Sequence, residues 1–152
     1  MRYPFSKAMR RLATLAAGML VAGTAAALDY RSVVEPALLY DAPSQQAKPL
    51  FAIARGTPVE AVVTLDAWVK VRDAKGELAW IEKRLLSEKH NVMVKVDRAQ
   101  VRAQADDNAH TVFEAERDVL LELVGPGPAG WVRVKHRDGA QGFVKATQVW
   151  GL

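Results

Sequence analysis

The chain repeats itself, and this restricts its fold more than any composition figure does. The stretch from Trp68 to Leu86 aligns without a gap on the stretch from Trp131 to Val149, a shift of 63 residues. Trp68, Val69, Val71 and Gly76 recur as Trp131, Val132, Val134 and Gly139, while Trp80, Ile81 and Leu86 recur as Phe143, Val144 and Val149. Upstream the shift is 62, joining Val34 to Val96, Phe51 to Phe113, Arg55 to Arg117, Glu60 to Glu122 and Val62 to Val124. The single change of shift falls where Gly125-Pro126-Gly127-Pro128 faces Val63-Thr64-Leu65-Asp66. Glycine and proline in such density mark a loop, where an inserted residue does least harm.

Each copy spans about 60 residues, near the lower limit for a core that stands without covalent staples. No staple exists, because the chain contains no Cys. Stability therefore has to come from packing, and the two copies are expected to share an interface around the polar linker at residues 86–91.

Strand signals dominate both copies. Val69 and Val71 alternate with Lys70 and Arg72, and Val132 and Val134 alternate with Arg133 and Lys135. A period of two describes a strand with one buried face. Lys75-Gly76 and Asp138-Gly139 follow, and a glycine there predicts a tight hairpin into residues 78–81 and 141–144. Residues 58–63 and 119–124 form the preceding strands, and residues 30–34 and 92–96 open the units. Residues 82–86 and 145–149 read as one helical turn running into a last short strand. About five short strands per unit, with no long helix, predict an all-β chain of two tandem small barrels.

The second copy reads Gly130-Trp131-Val132-Arg133-Val134, then Asp138-Gly139, then Gly142-Phe143-Val144. With the helical turn that follows, this resembles the bacterial SH3 (SH3b) domain. In the first copy Ala67 and Ala79 replace the two flanking glycines. Partial matches to the family's early segment occur at residues 39–44 and 101–106. The resemblance covers the chain beyond the first 27 residues and implies two SH3-like folds that bind rather than catalyse.

Those first 27 residues differ from the rest. Lys7, Arg10 and Arg11 precede an uncharged run from Leu12 to Ala27 that ends in Ala25-Ala26-Ala27. This is the pattern of a secretory signal peptide cleaved near Ala27. The run is short for a membrane span, which needs about 20 residues, so an uncleaved anchor is the weaker reading. The expected organisation is a leader over 1–27, a first SH3-like domain over 28–88 and a second over 89–152. The expected location is periplasmic or secreted, with no membrane span in the mature chain. The leader carries four of the 21 basic residues, leaving 17 against 17 acidic ones. The precursor's surplus of positive charge belongs to the leader, and it gives no support to a nucleic-acid partner.

Catalytic chemistry finds few footholds. There is no thiol, and Ser32, Ser44 and Ser87 lie in no nucleophile turn. His90, His110 and His136 show no metal-ligand spacing. Asp106-Asp107 reads as a pair of solvated loop acids, and no glycine-rich loop opens a helix to cradle phosphate. The sequence points to no enzyme activity, no cofactor and no metal.

What remains is a binding surface. The alternation turns Trp68 and Trp131 away from the valine face, and Trp80 and Phe143 follow on the same hairpins. SH3-like domains bind ligands in an aromatic-lined groove, so the resemblance implies Trp68, Trp80 and Tyr40 in unit one and Trp131 and Phe143 in unit two. The competing reading has these aromatics closing a barrel end or packing between units. Arg133 and Lys135, beside His136 and Arg137, would accept carboxylates. The expected partner is a peptide or protein of the cell envelope. The alternative is peptidoglycan, which the resemblance implies.

Overall fold

The computed structural model describes residues 27–152, so the leader read in residues 1–27 lies outside the described residues except for Ala27 itself. Unit one contains β1 (Tyr30–Val33), β2 (Ala37–Tyr40), β3 (Pro49–Ile53), β4 (Pro58–Thr64), β5 (Trp68–Arg72), β6 (Leu78–Glu82) and β7 (Leu86–Ser87). Unit two repeats them as β8 (Asn91–Val94), β9 (Arg98–Arg102), β10 (Thr111–Glu116), β11 (Leu120–Pro126), β12 (Trp131–Lys135), β13 (Gln141–Lys145) and β14 (Val149–Trp150). One-turn 3-10 helices at Lys83–Leu85 and Ala146–Gln148 precede the last strands, where the sequence placed helical turns. Among the described residues no helix is long and apolar enough to cross a membrane.

The two sheets have the same antiparallel order, β3-β2-β6-β5-β4-β1-β7 and β10-β9-β13-β12-β11-β8-β14. Val33, Leu39, Ile53, Val59, Val69, Val71, Ala79, Ile81 and Leu85 form one buried cluster in unit one. All but Leu85, which ends the 3-10 turn, come from six strands of a single sheet, so that sheet has to wrap over its own core. Unit two does the same around Val94, Val101, Leu121, Val134 and Val144. The expected small barrels are thus coiled sheets whose strand pairing stays open, with β3 and β7, or β10 and β14, as edges.

The repeat is closer in space than in sequence. A bulge interrupts β4 against β5 at Val62 and β11 against β12 at Val124, the same point in each copy. Gly125 and Pro126 pair with Arg133 and Val132, so the strand runs into the segment that the sequence assigned wholly to a loop. The extra residue lies in the loop after Pro126, which has four residues where unit one has three between Thr64 and Trp68. A second offset also emerges. Ser32 pairs with Pro58 and Ser87, while Met93 pairs with Leu120 and Trp150. The opening strands are therefore related by a shift of 61, which replaces the pairing of Val34 with Val96 by that of Val33 with Val94. The additional residue lies between Val94 and Ala99, and it lengthens β9 by one residue at its start, where nothing in the composition marks it.

The units meet through their first and last strands. The Tyr30 ring stands edge-on to Trp150 at 5.3 Å and lies 6.2 Å from His90. The Asn91 side-chain amide donates to the Gly56 carbonyl at 2.8 Å, and the Asn91 backbone N–H donates to Ser32 Oγ at 3.2 Å. Asn91 and His90 belong to the linker region expected at the interface. Tyr30, Ser32, Gly56 and Trp150 come from segments far away in sequence.

Candidate functional site

Strand alternation sets the outer face of β5 and β6. Val69, Val71, Ala79 and Ile81 are buried, whereas Trp68, Lys70, Trp80 and Glu82 are half-buried on the opposite face. Trp68 pairs across the strands with Glu82, and Trp80 pairs with Lys70, whose ammonium lies 5.9 Å from the Trp80 ring centre. The two tryptophans are therefore diagonal rather than direct cross-strand neighbours. Tyr40 joins them. Its backbone faces Trp80 across β2 and β6, and its ring meets Trp68 edge-on at 5.7 Å. Edge-to-face geometry at this distance is the favoured arrangement of two aromatic quadrupoles.

The loop from β2 to β3 borders this cluster. With Ala67, Trp68 and Glu82, residues 43–46 of that loop line a shallow depression of roughly 340 Å³. The Gln45 amide donates to Glu82 at 3.1 Å and ties the loop to β6. The Glu82 carboxyl is held below its ordinary pKa chiefly by the hydrogen bond from Arg84, partly offset by burial and reinforced by the weaker effect of the Gln45 hydrogen bond.

Unit two carries the same position with different chemistry. Trp131 pairs with Lys145, whose ammonium lies 5.7 Å from its ring centre and 2.7 Å from Asp107. Asp107 belongs to the loop pair that the sequence suggested was merely solvated. Here it fixes the lysine over the indole. Arg102 takes the place of Tyr40 and faces Phe143. Arg98, Gln100, Arg102, Asp107, Trp131 and Lys145 surround a depression of roughly 200 Å³. The surface in unit one is aromatic and acidic, and its counterpart is polar and basic with its indole capped.

The basic residues read from the sequence do not stay together. Arg133 is exposed on β12 and faces Phe143 across the strands. Lys135, His136 and Arg137 instead line a larger cleft of roughly 840 Å³ between the units, opposite Arg55 and Gly56 of unit one. Sequence reasoning missed Arg55, although its pairing with Arg117 in the repeat was visible. Among the described residues no group of His, Asp or Glu is arranged to hold a metal ion.

No protein of curated function matches this chain. Three solved structures are similar to it at low identity. They are an NlpC1 protein from Trichomonas vaginalis (13% identity, 81% of this chain and 45% of that one, TM-score 0.38), an NlpC2 protein from the same organism (12%, 82% and 48%, 0.36) and an NlpC/P60 family protein from Bacillus cereus (14%, 80% and 55%, 0.37). The chain spans about half the length of these proteins. The family model of the bacterial SH3 domain matches twice, over residues 33–88 and 95–151, once on each sheet. The chain thus belongs to the bacterial SH3 domain family and carries two tandem copies of the domain.

Proposed function

We propose that this protein is an exported, non-catalytic tandem binding module that holds a peptide or protein ligand of the cell envelope. In this reading the leader spans 1–27, the first domain 28–88 and the second 89–152. The ligand lies on Tyr40, Trp68 and Trp80 of unit one, and Trp131 and Phe143 provide a weaker, cation-capped version in unit two. The observation carrying the proposal is the edge-on contact of Tyr40 with Trp68 on the face turned away from the core. Aromatic rings fixed on strands offer large apolar area, and little side-chain freedom remains to be lost on binding. The bordering loop and Glu82 add polar groups that orient a bound chain.

Peptidoglycan is the second reading, supported by membership of the bacterial SH3 family. A pull-down with purified sacculi at low salt separates the two. Retention that Trp68→Ala abolishes in a folded protein assigns the ligand to the wall peptide. A protein left in the supernatant returns the assignment to an envelope peptide or protein. Retention unchanged by both Trp68→Ala and Trp131→Ala would reduce the aromatics to packing and overturn the aromatic site.

A further inference from the structure

The cleft between the two units brings together cations that the fold leaves without acids. In unit one Glu60 and Arg72 face each other across β4 and β5 and form an ion pair at 2.7 Å. The same positions in unit two are Glu122 and Lys135, which also face each other. There Glu122 is taken by Lys89 of the linker at 3.3 Å, and Lys135 has no ion pair among the described residues. Arg55 shows the converse. Its counterpart Arg117 is held by Asp97 at 2.8 Å, whereas Arg55 has no such partner among the described residues. Arg137 replaces Ala74 of unit one and is likewise unpaired among the described residues.

These three cations line one cleft together with the Lys89–Glu122 ion pair, which leaves the cleft a net positive charge, and its geometry is built. Asn91 clamps the turn that carries Arg55 by donating to the Gly56 carbonyl, and a side chain at Gly56 would crowd Leu120 at 3.2 Å. On the other wall His136 lies 3.0 Å from Asp138 and against the Phe113 ring. Between the walls, Val119 and Leu120 provide a half-buried apolar floor.

We propose that this cleft binds an acidic peptide segment in which carboxylates alternate with apolar side chains. Arg55, Lys135 and Arg137 would take the carboxylates, and Leu120 and Val119 the apolar groups. A volume of roughly 840 Å³ suits several residues of chain rather than a single small anion. The apolar floor favours a peptide over a polyphosphate, which would place only charge there. The site is separate from the aromatic surface and exists only where both copies contribute.

The test measures fluorescence anisotropy of a labelled, end-capped peptide of alternating Glu and Leu, with the protein at low and at moderate salt. Lys135→Glu combined with Arg137→Glu is expected to weaken binding at least tenfold, and Arg55→Glu alone about threefold or more. Arg133→Glu, exposed on the same strand outside the cleft, is expected to change affinity less than twofold, and Trp68→Ala not at all. Affinity unmoved by the reversals overturns the cleft, and affinity lost on Trp68→Ala overturns it and places the peptide on the aromatic surface. Tripolyphosphate or a short oligouridylate that binds more tightly than the peptide overturns the peptide assignment. Sacculus retention is read through Trp68→Ala and Trp131→Ala, and this affinity through Arg55, Lys135 and Arg137, so either site can fail without the other.

Discussion

Glu60 is one of two polar residues buried among the described positions, and Arg72 is its ion-pair partner. A carboxylate in that position is tolerable only while the guanidinium answers it. Arg72→Met is expected to cost about 1–3 kcal/mol, the penalty of leaving a buried polar group without its partner. Lys135→Met at the equivalent site of unit two should stay within about 0.5 kcal/mol, since no ion pair is lost. Urea midpoints of the two variants check this, and equal losses would mean that Lys135 supports the fold. Two glycines show what a single residue discloses in sequence. Gly130 takes a φ of 86°, which the four-residue loop imposes, while Ala67 in the shorter loop keeps a negative φ. Gly142 is small for another reason, because a Cβ there would lie 2.5 Å from the Arg102 carbonyl oxygen. The sequence flagged both replacements by alanine in unit one as a loss of family pattern. Only the backbone reveals one as a loop-length effect and the other as a close approach.

The hairpins from β4 to β5 and from β11 to β12 have identical pairing up to their ends but loops of different length. Thr64 faces Val69 in one and Pro126 faces Val132 in the other. A loop of either length therefore closes the same ladder. Replacing residues 127–130 by Leu-Asp-Ala is expected to leave the fold intact and shift stability by less than about 1 kcal/mol, because loop-closure entropy changes slowly with length. Thermal unfolding of the swapped protein checks it, and loss of the β12–β13 amide protection pattern would refute it. At this scale the strands with strict alternation were legible, as were both hairpin glycines and the helical turns. The β2–β3 and β9–β10 hairpins were not singled out. Leu38, Leu50 and Val112 are exposed there, which blurs the period of two, and loops of eight residues carry no compact turn signal. For the same reason the aromatic site was only half legible. Alternation turned Trp68 outward and the hairpin offered Trp80 on the next strand, but Tyr40 reaches them through a strand whose pairing the sequence did not reveal. The junction cleft was not legible, since Arg55 and Lys135 lie 80 positions apart in sequence.

At the scale of the whole molecule, two small cores are coupled through an aromatic contact set and the Asn91 hydrogen bonds to Gly56 and Ser32. Tyr30 opens the first sheet, Trp150 closes the second, and His90 lies in the linker between them. Coupling of this kind lets each unit draw on the other's burial, which a unit of about 60 residues needs. It also makes the junction sensitive to alkali. Burial holds the Tyr30 hydroxyl above its ordinary pKa, and the Glu60 carboxylate pushes it the same way, against a smaller opposing effect of Arg72. A raised pKa means that the folded protein keeps the proton more tightly than the unfolded chain does. Its contribution to stability is therefore complete below about pH 10, the ordinary tyrosine value, and is lost progressively as pH rises through the folded value. Tyr30→Phe retains the ring against Trp150 and removes the ionising group. The variant should match the parent at pH 8 and become the more stable of the two at pH 11. Other alkaline titrations are common to both proteins and cancel in the difference. Urea midpoints followed by tryptophan fluorescence at the two pH values measure it. Parallel losses in parent and variant would show that ionisation of Tyr30 does not load the junction. A gap opening only at the higher pH, with hydrogen exchange rising first at β1 and β8, would place the alkaline weak point where the two units join.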